Sequence, residues 1–202
     1  MKKKFNLGFT LIELIVAIAI MVLILAVILV NYKKFDSGII MTNLAYDIAL
    51  SIRTAQTYGV SVKSSKTSTG NFETPYGIHF DLATPTTYWL FVDNNDNHDN
   101  TYGNGIFDTS INAESSLATT YNLRGAYYIK SLCYVFGSGN CTACNKLDIT
   151  FRRPNPDAIM SANDGTVSGS NISAVKIVIG SKQDVNAQKT ITVQQTGQIS
   201  VQ

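Results

Sequence analysis

Near its N-terminus the chain carries a predominantly apolar run of 22 residues, FTLIELIVAIAIMVLILAVILV, from Phe9 to Val30. A helix of that length is about 33 Å long and crosses a hydrocarbon core of roughly 30 Å. The carboxylate of Glu13 is the one ionisable side chain in the run. An acidic group inside such a span costs about 3 kcal/mol or more unless it is paired or close to water, so Glu13 is a candidate functional residue.

Basic residues stand at both ends of the apolar run. Three lysines at positions 2–4 precede it, and Lys33 and Lys34 follow it. The positive-inside rule therefore favours a cytoplasmic N-terminus and places the rest of the chain outside the cytoplasm. A secretory signal peptide is the alternative, but its apolar region is usually about 7 to 15 residues long and ends at an A-x-A-like site, which this run lacks. If cleavage occurs, the small residue Gly8 marks its expected position.

The stretch KKKFNLGFTLIELIVAIAI resembles the class III leader of type IV prepilins and pseudopilins, in which a short basic segment precedes an apolar helix. In this resemblance Gly8 lies before the cut, Phe9 becomes the new N-terminus and Glu13 is the fifth residue of the mature chain. The resemblance implies that a prepilin peptidase cuts after Gly8 and methylates the amine of Phe9. It also implies that Glu13 pairs with the N-terminal amine of a neighbouring subunit during assembly. From the residues alone, the alternative is a carboxylate that reaches back to the lipid headgroups.

Cleavage after Gly8 changes the charge of the chain. The leader contains three lysines, so Lys and Arg fall from 16 to 13 against 14 Asp and Glu, and the formal balance changes from +2 to −1. Net charge therefore does not indicate a nucleic-acid partner. Basic residues that would be candidates for phosphate contacts if they cluster are Arg152, Arg153, Lys176, Lys182 and Lys189.

Beyond the apolar run, apolar residues recur at every fourth position: Ile40, Leu44, Ile48 and Ile52. Such a stripe is typical of a helix packed on a sheet. We expect one helix from about Phe9 to Tyr58, roughly 75 Å long. Gly38 is a candidate bend in this helix, and Gly59 is its expected stop.

The C-terminal part of the chain alternates β-branched or aromatic runs with turn residues, which predicts antiparallel strands. Six strands are expected at positions 76–82, 87–92, 126–136, 146–151, 174–180 and 189–195, and the closing TGQISV can add a seventh. The expected fold class is α+β, with a long N-terminal α-helix, membrane-spanning in its first half, packed on an antiparallel β-sheet head. The expected division is a leader at 1–8, a transmembrane and assembly helix at 9–30, an amphipathic continuation at 31–59 and a β-rich extracytoplasmic head at 60–202.

The loop FVDNNDNHDNTYGNGIFD carries the densest set of side-chain oxygens in the chain. A hard cation such as Ca²⁺ needs about six to eight oxygen ligands. The candidate calcium ligands are Asp93, Asn95, Asp96, Asn97, Asp99 and Asp108. The loop is not an EF-hand, because counting from Asp93 places His98 where a glycine is required. A solvated loop of Asx turns is the other interpretation, although calcium is known in some pseudopilins.

Three cysteines, Cys133, Cys141 and Cys144, lie close together in the sequence. If residues 137–140 form a four-residue hairpin loop, Phe136 pairs with Cys141 and Cys133 lies opposite Cys144, which makes Cys133–Cys144 the expected disulfide. Bridges between Cys141 and Cys144 or between Cys133 and Cys141 are the alternatives, and an extracytoplasmic head favours oxidation. Zinc is a weaker interpretation, because only three thiols are local.

The sequence shows no Ser/His/Asp motif, phosphate loop or paired carboxylates on a clear scaffold, so we do not expect an enzyme. The stretch FRRPNP after a strand, followed by two final strands ending in GQISV, is similar to minor pseudopilins of the FimT/GspH type. We therefore expect a minor pilin or pseudopilin, a structural and assembly subunit of a type IV pilus or type II secretion filament. The alternative is a filament-tip adhesin or DNA-uptake module anchored by the same helix.

The resemblance also implies a location and a set of partners. The chain is expected to be a single-pass protein of the cytoplasmic (inner) membrane until it enters a periplasmic or surface filament. The implied partners are the prepilin peptidase, other pilins or pseudopilins, the inner-membrane assembly platform and the lipid bilayer.

Overall fold

The structure is a computed structural model that describes residues 8–61, 74–93, 103–108, 118–169 and 171–202. Within the helix, the side chains of residues 30–37 are not described. The chain divides into two compact units, Met1–Ile39 and Ile40–Gln202. The described part of the first unit is mainly helical, and the second unit combines helix with strands.

One helix, α1, runs over Leu11–Val60. Its segment Leu11–Leu29 has a mean hydropathy of 3.3 and is not buried anywhere within the chain, and by length and composition it is able to cross a membrane. Thr10 caps this end, because its Oγ1 accepts a hydrogen bond from the backbone N–H of Glu13 at 3.3 Å. The structure therefore confirms the expected apolar helix, and the cap sets its first residue.

In the second unit, α1 has five buried apolar side chains: Met41, Ala45, Ile48, Ile52 and Ala55. Their spacing of four and three residues keeps them on one side of a helix with 3.6 residues per turn. The expected stripe at every fourth position is correct at Ile48 and Ile52 only, since four residues rotate by about 400° and the stripe drifts around the helix. Ile40 is exposed and Leu44 is half-buried.

Eleven strands follow α1 in the part of the chain that the structure describes. The first six are β1 Tyr76–Asp81, β2 Thr87–Val92, β3 Thr119–Asn122, β4 Tyr127–Phe136, β5 Cys141–Cys144 and β6 Lys146–Phe151. The last five are β7 Ala158–Ala162, β8 Val167–Ser168, β9 Ile172–Ser181, β10 Gln188–Gln194 and β11 Ile199–Val201. They form a six-stranded sheet in the order β3-β2-β1-β6-β7-β8 and a five-stranded sheet in the order β11-β10-β9-β4-β5.

Every strand pair is antiparallel, so the α+β fold class with a long N-terminal helix and an antiparallel head is confirmed. All seven expected strands are present. The head has two sheets instead of the expected one. The strand β5 was expected only as the partner in the cysteine hairpin, and β3, β7 and β8 were not expected. Each of these three unexpected strands has between two and five residues, too few for an alternating pattern to reveal it.

One apolar core joins α1 to both sheets. It contains Ile48 and Ile52 of α1, Ile149 of the six-stranded sheet and Ile177 of the five-stranded sheet, all fully buried. Residues that point away from this core would ordinarily face water, because side chains alternate along a strand. In the six-stranded sheet, however, His79 and Asp148 lie on that outer face and are buried. This second buried face is where the head differs most from a simple sheet packed on a helix.

The β4–β5 hairpin has a different register from the one expected. Val135, instead of Phe136, pairs with Cys141, so five residues lie between the paired positions instead of four. When the register between two paired strands shifts by one residue, each side chain of one strand lies on the opposite face relative to the side chains of the partner strand. As a result Cys133 lies opposite Ala143.

The expected Cys133–Cys144 disulfide is therefore wrong. Cys144 lies opposite Leu132 and points into the core as a buried free thiol. Cys133 and Cys141 share the other face, and they form the disulfide with Cα atoms 5.6 Å apart. The bridge is one of the two alternatives that the spacing of the cysteines allowed.

Candidate functional sites

The first candidate site is the start of α1. Gly8, Phe9 and Thr10 precede the helix and are exposed, and Glu13 lies in its first turn. Thr10 Oγ1 donates a hydrogen bond to Glu13 Oε2 at 3.5 Å in addition to accepting one from the Glu13 backbone. A threonine followed three residues later by a glutamate is the residue pair of a helix capping box. The structure thus places the three residues expected for processing and assembly within two turns of each other.

The carboxylate of Glu13 retains the capacity to bind a cation. Its position in the first helical turn is favourable, because the N-terminus of a helix carries a partial positive charge. Thr10 offers only a neutral hydroxyl, and the ion pairs among the described residues do not include Glu13. The surrounding segment Leu11–Leu29 is apolar and unburied within the chain. Within the described part of the chain, Glu13 therefore has a neutral hydroxyl and not a positive charge as its side-chain partner.

The second candidate site is a polar row buried on the outer face of the six-stranded sheet. His79 of β1, Asp148 of β6 and Ser161 of β7 are cross-strand partners. His79 Nδ1 lies 2.6 Å from Asp148 Oδ1, and all three side chains are buried. We refer to His79, Asp148 and Ser161 as the outer-face row.

Residues 103–108 cover part of this row. The backbone N–H of Phe107 donates to Asp148 Oδ1 at 3.3 Å, and the Phe107 ring lies 5.0 Å from the His79 ring and 6.1 Å from that of Trp89. Two residues earlier in the segment, the N–H of Gly105 donates to Asp93 Oδ2 at 2.9 Å. The two buried carboxylates therefore hold a short non-helical segment on the sheet through its backbone.

Burial dominates the electrostatics of both carboxylates. It raises the pKa of Asp148, and the bonds from His79 and from the Phe107 N–H act in the opposite direction. Burial also raises the pKa of Asp93 to about 7, and the bond from the Gly105 N–H opposes that rise. Asp93 Oδ1, Asp148 Oδ2 and Ser161 Oγ are buried with no hydrogen-bond partner among the described atoms.

Sequence reasoning did not identify the outer-face row. The available signal was that His79 and Asp148 occupy polar positions in otherwise β-branched or apolar strands. Their partnership depends on the register between two strands whose paired residues are 69 positions apart, and local patterns do not contain that register. Apart from the bond between them, His79 and Asp148 contact the backbone and ring of Phe107 and the ring of Trp89. These contacts hold residues 103–108 against the sheet.

The candidate calcium site is only partly described. Asn95, Asp96, Asn97 and Asp99 lie outside the described residues. Asp93 already accepts the Gly105 N–H with one oxygen, and Asn104 Nδ2 donates to Asp108 Oδ2 at 3.0 Å. Among the described residues, no three His, Cys, Asp or Glu side chains are grouped so that they could hold a metal ion. The calcium site stays a prediction.

The basic residues considered for phosphate contacts are divided between the two sheets. Arg152 and Arg153 follow β6 of the six-stranded sheet. Lys176 in β9 and Lys189 in β10 belong to the five-stranded sheet, and Lys182 directly follows β9. The structure does not bring the five residues together on one strand or loop.

Comparison with known protein families gives a match that covers the first candidate site. Residues 3–29 match the family described as the prokaryotic N-terminal methylation motif. The match includes Gly8, Phe9 and Glu13 and contains the whole segment Leu11–Leu29. Neither the curated proteins nor the solved structures gave a match to the chain.

Proposed function

We propose that this type IV pilin-like protein is, after processing, a structural subunit of a type IV pilus or type II secretion filament, and within that class a minor pilin or pseudopilin of the FimT/GspH type. The observation that carries the proposal is the match of residues 3–29 to the N-terminal methylation motif. The unburied helix segment of 19 residues supports it, because so much apolar surface needs lipid or other apolar helices around it.

The first step in this function is removal of the leader. In the proposal, a prepilin peptidase cuts the bond between Gly8 and Phe9 and then methylates the new amine. The leader takes three lysines with it, so one end of the apolar helix loses most of its positive charge. The remaining charges at this end are the amine of Phe9 and the carboxylate of Glu13.

The second step is transfer of the helix from the bilayer into the filament. Inside a filament core, Glu13 would be surrounded by apolar helices, and an uncompensated buried charge there is strongly unfavourable. The amine of Phe9 from a neighbouring subunit provides the compensating charge. A subunit thus gains a partner for Glu13 only by joining others, which couples departure from the membrane to assembly.

The proposal places the head outside the cytoplasm, on a single-pass anchor in the cytoplasmic membrane. The Cys133–Cys141 disulfide supports this location, because disulfides form and persist in oxidising compartments. The partners are the prepilin peptidase, the inner-membrane assembly platform and other pilins or pseudopilins. In this proposal the chain is a structural component and not an enzyme.

Intact mass spectrometry of the chain from a cell with an active prepilin peptidase tests the processing step. We expect a mass equal to residues 9–202 with one added methyl group and with the disulfide intact. A Gly8→Glu variant, which places a charged side chain before the cut, should retain the leader. An unprocessed wild-type chain in a peptidase-competent cell would contradict the proposal.

A deletion strain tests the assembly role. The strain should be compared with its parent for surface filaments and for protein secretion, and then complemented with the wild-type chain. We expect the deletion to reduce surface filaments, protein secretion or both. Loss of surface filaments alone would indicate a pilus subunit, and loss of secretion alone would indicate a secretion subunit. A processed chain that is never recovered with filaments and whose loss changes neither property would exclude the proposed function.

A further inference from the structure

A groove lies beside α1 in the second unit, between the helix and the β2–β3 edge of the six-stranded sheet. Its volume is about 340 Å³, and sites for small molecules usually measure about 300–1,000 Å³. Asp47, Ser51 and Thr54 of α1 line it, and so do Tyr121 of β3 and Arg124 of the turn that follows β3. We call it the α1–β3 groove.

A pair of stacked tyrosines lies on the sheet side of the α1–β3 groove. Tyr88 of β2 and Tyr121 of β3 are cross-strand partners, and their ring centroids are 5.0 Å apart with an angle of 8° between the rings. Ser51 Oγ donates to the backbone oxygen of Asp47, so the Tyr88 hydroxyl, 3.0 Å away, is the donor to Ser51 Oγ. This bond joins α1 to the sheet. The groove therefore has a fixed aromatic surface before any ligand binds.

Hydrogen-bonding groups of each kind line the groove beside the tyrosines. The carboxylate of Asp47 only accepts, the guanidinium of Arg124 only donates, and the amide of Asn122 does both. All three residues are exposed. No ion pair among the described residues includes Asp47 or Arg124. Both charged groups are therefore able to bind a ligand without breaking an existing ion pair.

The lining restricts the chemistry of that ligand. It contains one carboxylate and one guanidinium, so it has no net charge, and a multiply charged anion would be repelled by Asp47. A purely apolar ligand would take the polar side chains out of water without bonding them. A ring with several hydroxyl groups and apolar C–H faces suits both parts of the lining. Its hydroxyl groups both donate and accept, and its C–H faces pack on an aromatic ring.

We propose that the α1–β3 groove is a saccharide-binding site, in which a sugar ring packs against Tyr121 and its hydroxyl groups bond to Asp47 and Arg124. Asp47 accepts hydrogen bonds from adjacent hydroxyl groups, and Arg124 donates to their oxygens. The binding is reversible and includes no covalent step. The inference goes beyond the proposed function, because it gives the head a ligand that filament assembly does not require.

Titration of the purified full-length chain with methyl glycosides tests the site. The panel covers hexoses, pentoses, deoxyhexoses and N-acetylhexosamines, and saturation-transfer NMR measures the binding. The chain is kept in a polyoxyethylene detergent, because a glycoside detergent would compete for a saccharide site. We expect saturable binding of at least one glycoside with a Kd of about 0.1–10 mM, the range for a small ligand with few contacts. A panel without any binding in this range would overturn the inference.

Substitutions locate the binding. Asp47→Asn and Arg124→Gln, at exposed positions, should each weaken it about five- to tenfold, because each removes a hydrogen bond to a charged group. Tyr121→Ala should weaken it at least as much, whereas Tyr121→Phe keeps the ring and should stay within about twofold of the wild type. Two matched controls should leave the Kd unchanged: Asp157→Asn, at an exposed carboxylate outside the groove, and Tyr46→Ala, at an exposed tyrosine of α1 that does not line it.

The outcomes also decide the class of ligand. Asp47 and Arg124 suit the ammonium and carboxylate groups of a small zwitterion as well, so glycine and L-alanine are titrated in parallel. Binding of these amino acids but of no glycoside would overturn the saccharide assignment. Glycoside binding that survives both Asp47→Asn and Arg124→Gln unchanged would overturn the location. None of these measurements requires filaments, so a failure here leaves the proposed function standing, and a failure of assembly leaves this site standing.

Discussion

At the scale of single residues, Asp93 links the stability of the head to pH. Burial raises its pKa to about 7 from an ordinary value of 3.8. Because the folded pKa lies above the unfolded one, the stability contributed by the neutral carboxyl is complete below about pH 4 and is lost as the pH rises through about 7. We expect the thermal unfolding midpoint of the full chain in detergent to fall from about pH 5 to about pH 8.

The Asp93→Asn variant isolates this residue from the other titrating groups. Its amide oxygen can still accept the Gly105 N–H, but the side chain cannot ionise. The variant should therefore lose much less stability than the wild type over the same pH range. Asp157→Asn, at an exposed carboxylate, should behave like the wild type. Identical pH profiles for Asp93→Asn and the wild type would show that Asp93 is not responsible.

Glu13 carries the second prediction at this scale. Glu13→Ala removes the charge from the apolar segment, so membrane insertion should be unchanged or easier. Assembly should fall sharply, because the neighbouring amine loses its buried partner. The measurement compares the chain in membrane and sheared-filament fractions, with Thr10→Ser as a control that keeps the cap. Normal assembly of Glu13→Ala would favour a carboxylate that simply reaches the headgroups.

At the scale of elements, replacing each of two glycines of α1 by alanine should change the stability of the fold in opposite directions. A Cβ at Gly59 would lie 2.1 Å from the backbone oxygen of Phe151, so Gly59 is where α1 approaches the backbone of β6. Gly59→Ala should destabilise the chain by about 1–3 kcal/mol. At Gly38 an added Cβ meets nothing within 4 Å, and Gly38→Ala should stabilise the helix by up to about 1 kcal/mol. Denaturant unfolding followed by circular dichroism measures both, and equal effects would contradict the close approach.

The β4–β5 hairpin carries the other prediction at this scale. The Cys133–Cys141 bridge closes a loop with a sequence separation of 8. A bridge of this size stabilises the folded state by about 2–3 kcal/mol, because it lowers the conformational entropy of the unfolded chain. A reductant should therefore lower the unfolding midpoint of the wild type but not of Cys133→Ser/Cys141→Ser. Alkylation of the folded chain should leave Cys144 unmodified until denaturant is added, because it is buried. A non-reduced peptide map containing Cys144 in the bridge would refute the assignment.

These elements show what the sequence could and could not predict. The apolar segment and the alternating strands were predictable, because each is a local pattern with a single physical cause. The disulfide was not, because its choice depends on whether Val135 or Phe136 pairs with Cys141, and one residue exchanges the two faces of the hairpin. Gly59 was expected to follow the end of the helix, but α1 continues to Val60 and Gly59 lies where the helix approaches the backbone of Phe151. A glycine that ends a helix and a glycine at a close backbone contact look identical in sequence.

At the scale of the whole molecule, composition predicts the division between an apolar anchor and a polar head. It does not predict which faces of the head become interior. The outer face of the six-stranded sheet is buried in part because residues 103–108 return to it, and Phe107 meets side chains from β1 and β2. This packing brings together residues that are far apart in the sequence. The carboxylates of Asp93 and Asp148 accept hydrogen bonds from backbone N–H groups of residues 103–108, and no sequence motif predicts those bonds.

The cap at Thr10 also affects how the chain can be cut. Proteases commonly bind their substrates as extended strands, in which the scissile carbonyl is free of helical hydrogen bonds. Gly8 and Phe9 precede the first helical residue, Leu11, so the bond between them can enter an active site without unwinding any turn of α1. In the proposed function, the helix can therefore be fully folded before the peptidase binds, and cleavage after Gly8 would require no prior unwinding of α1.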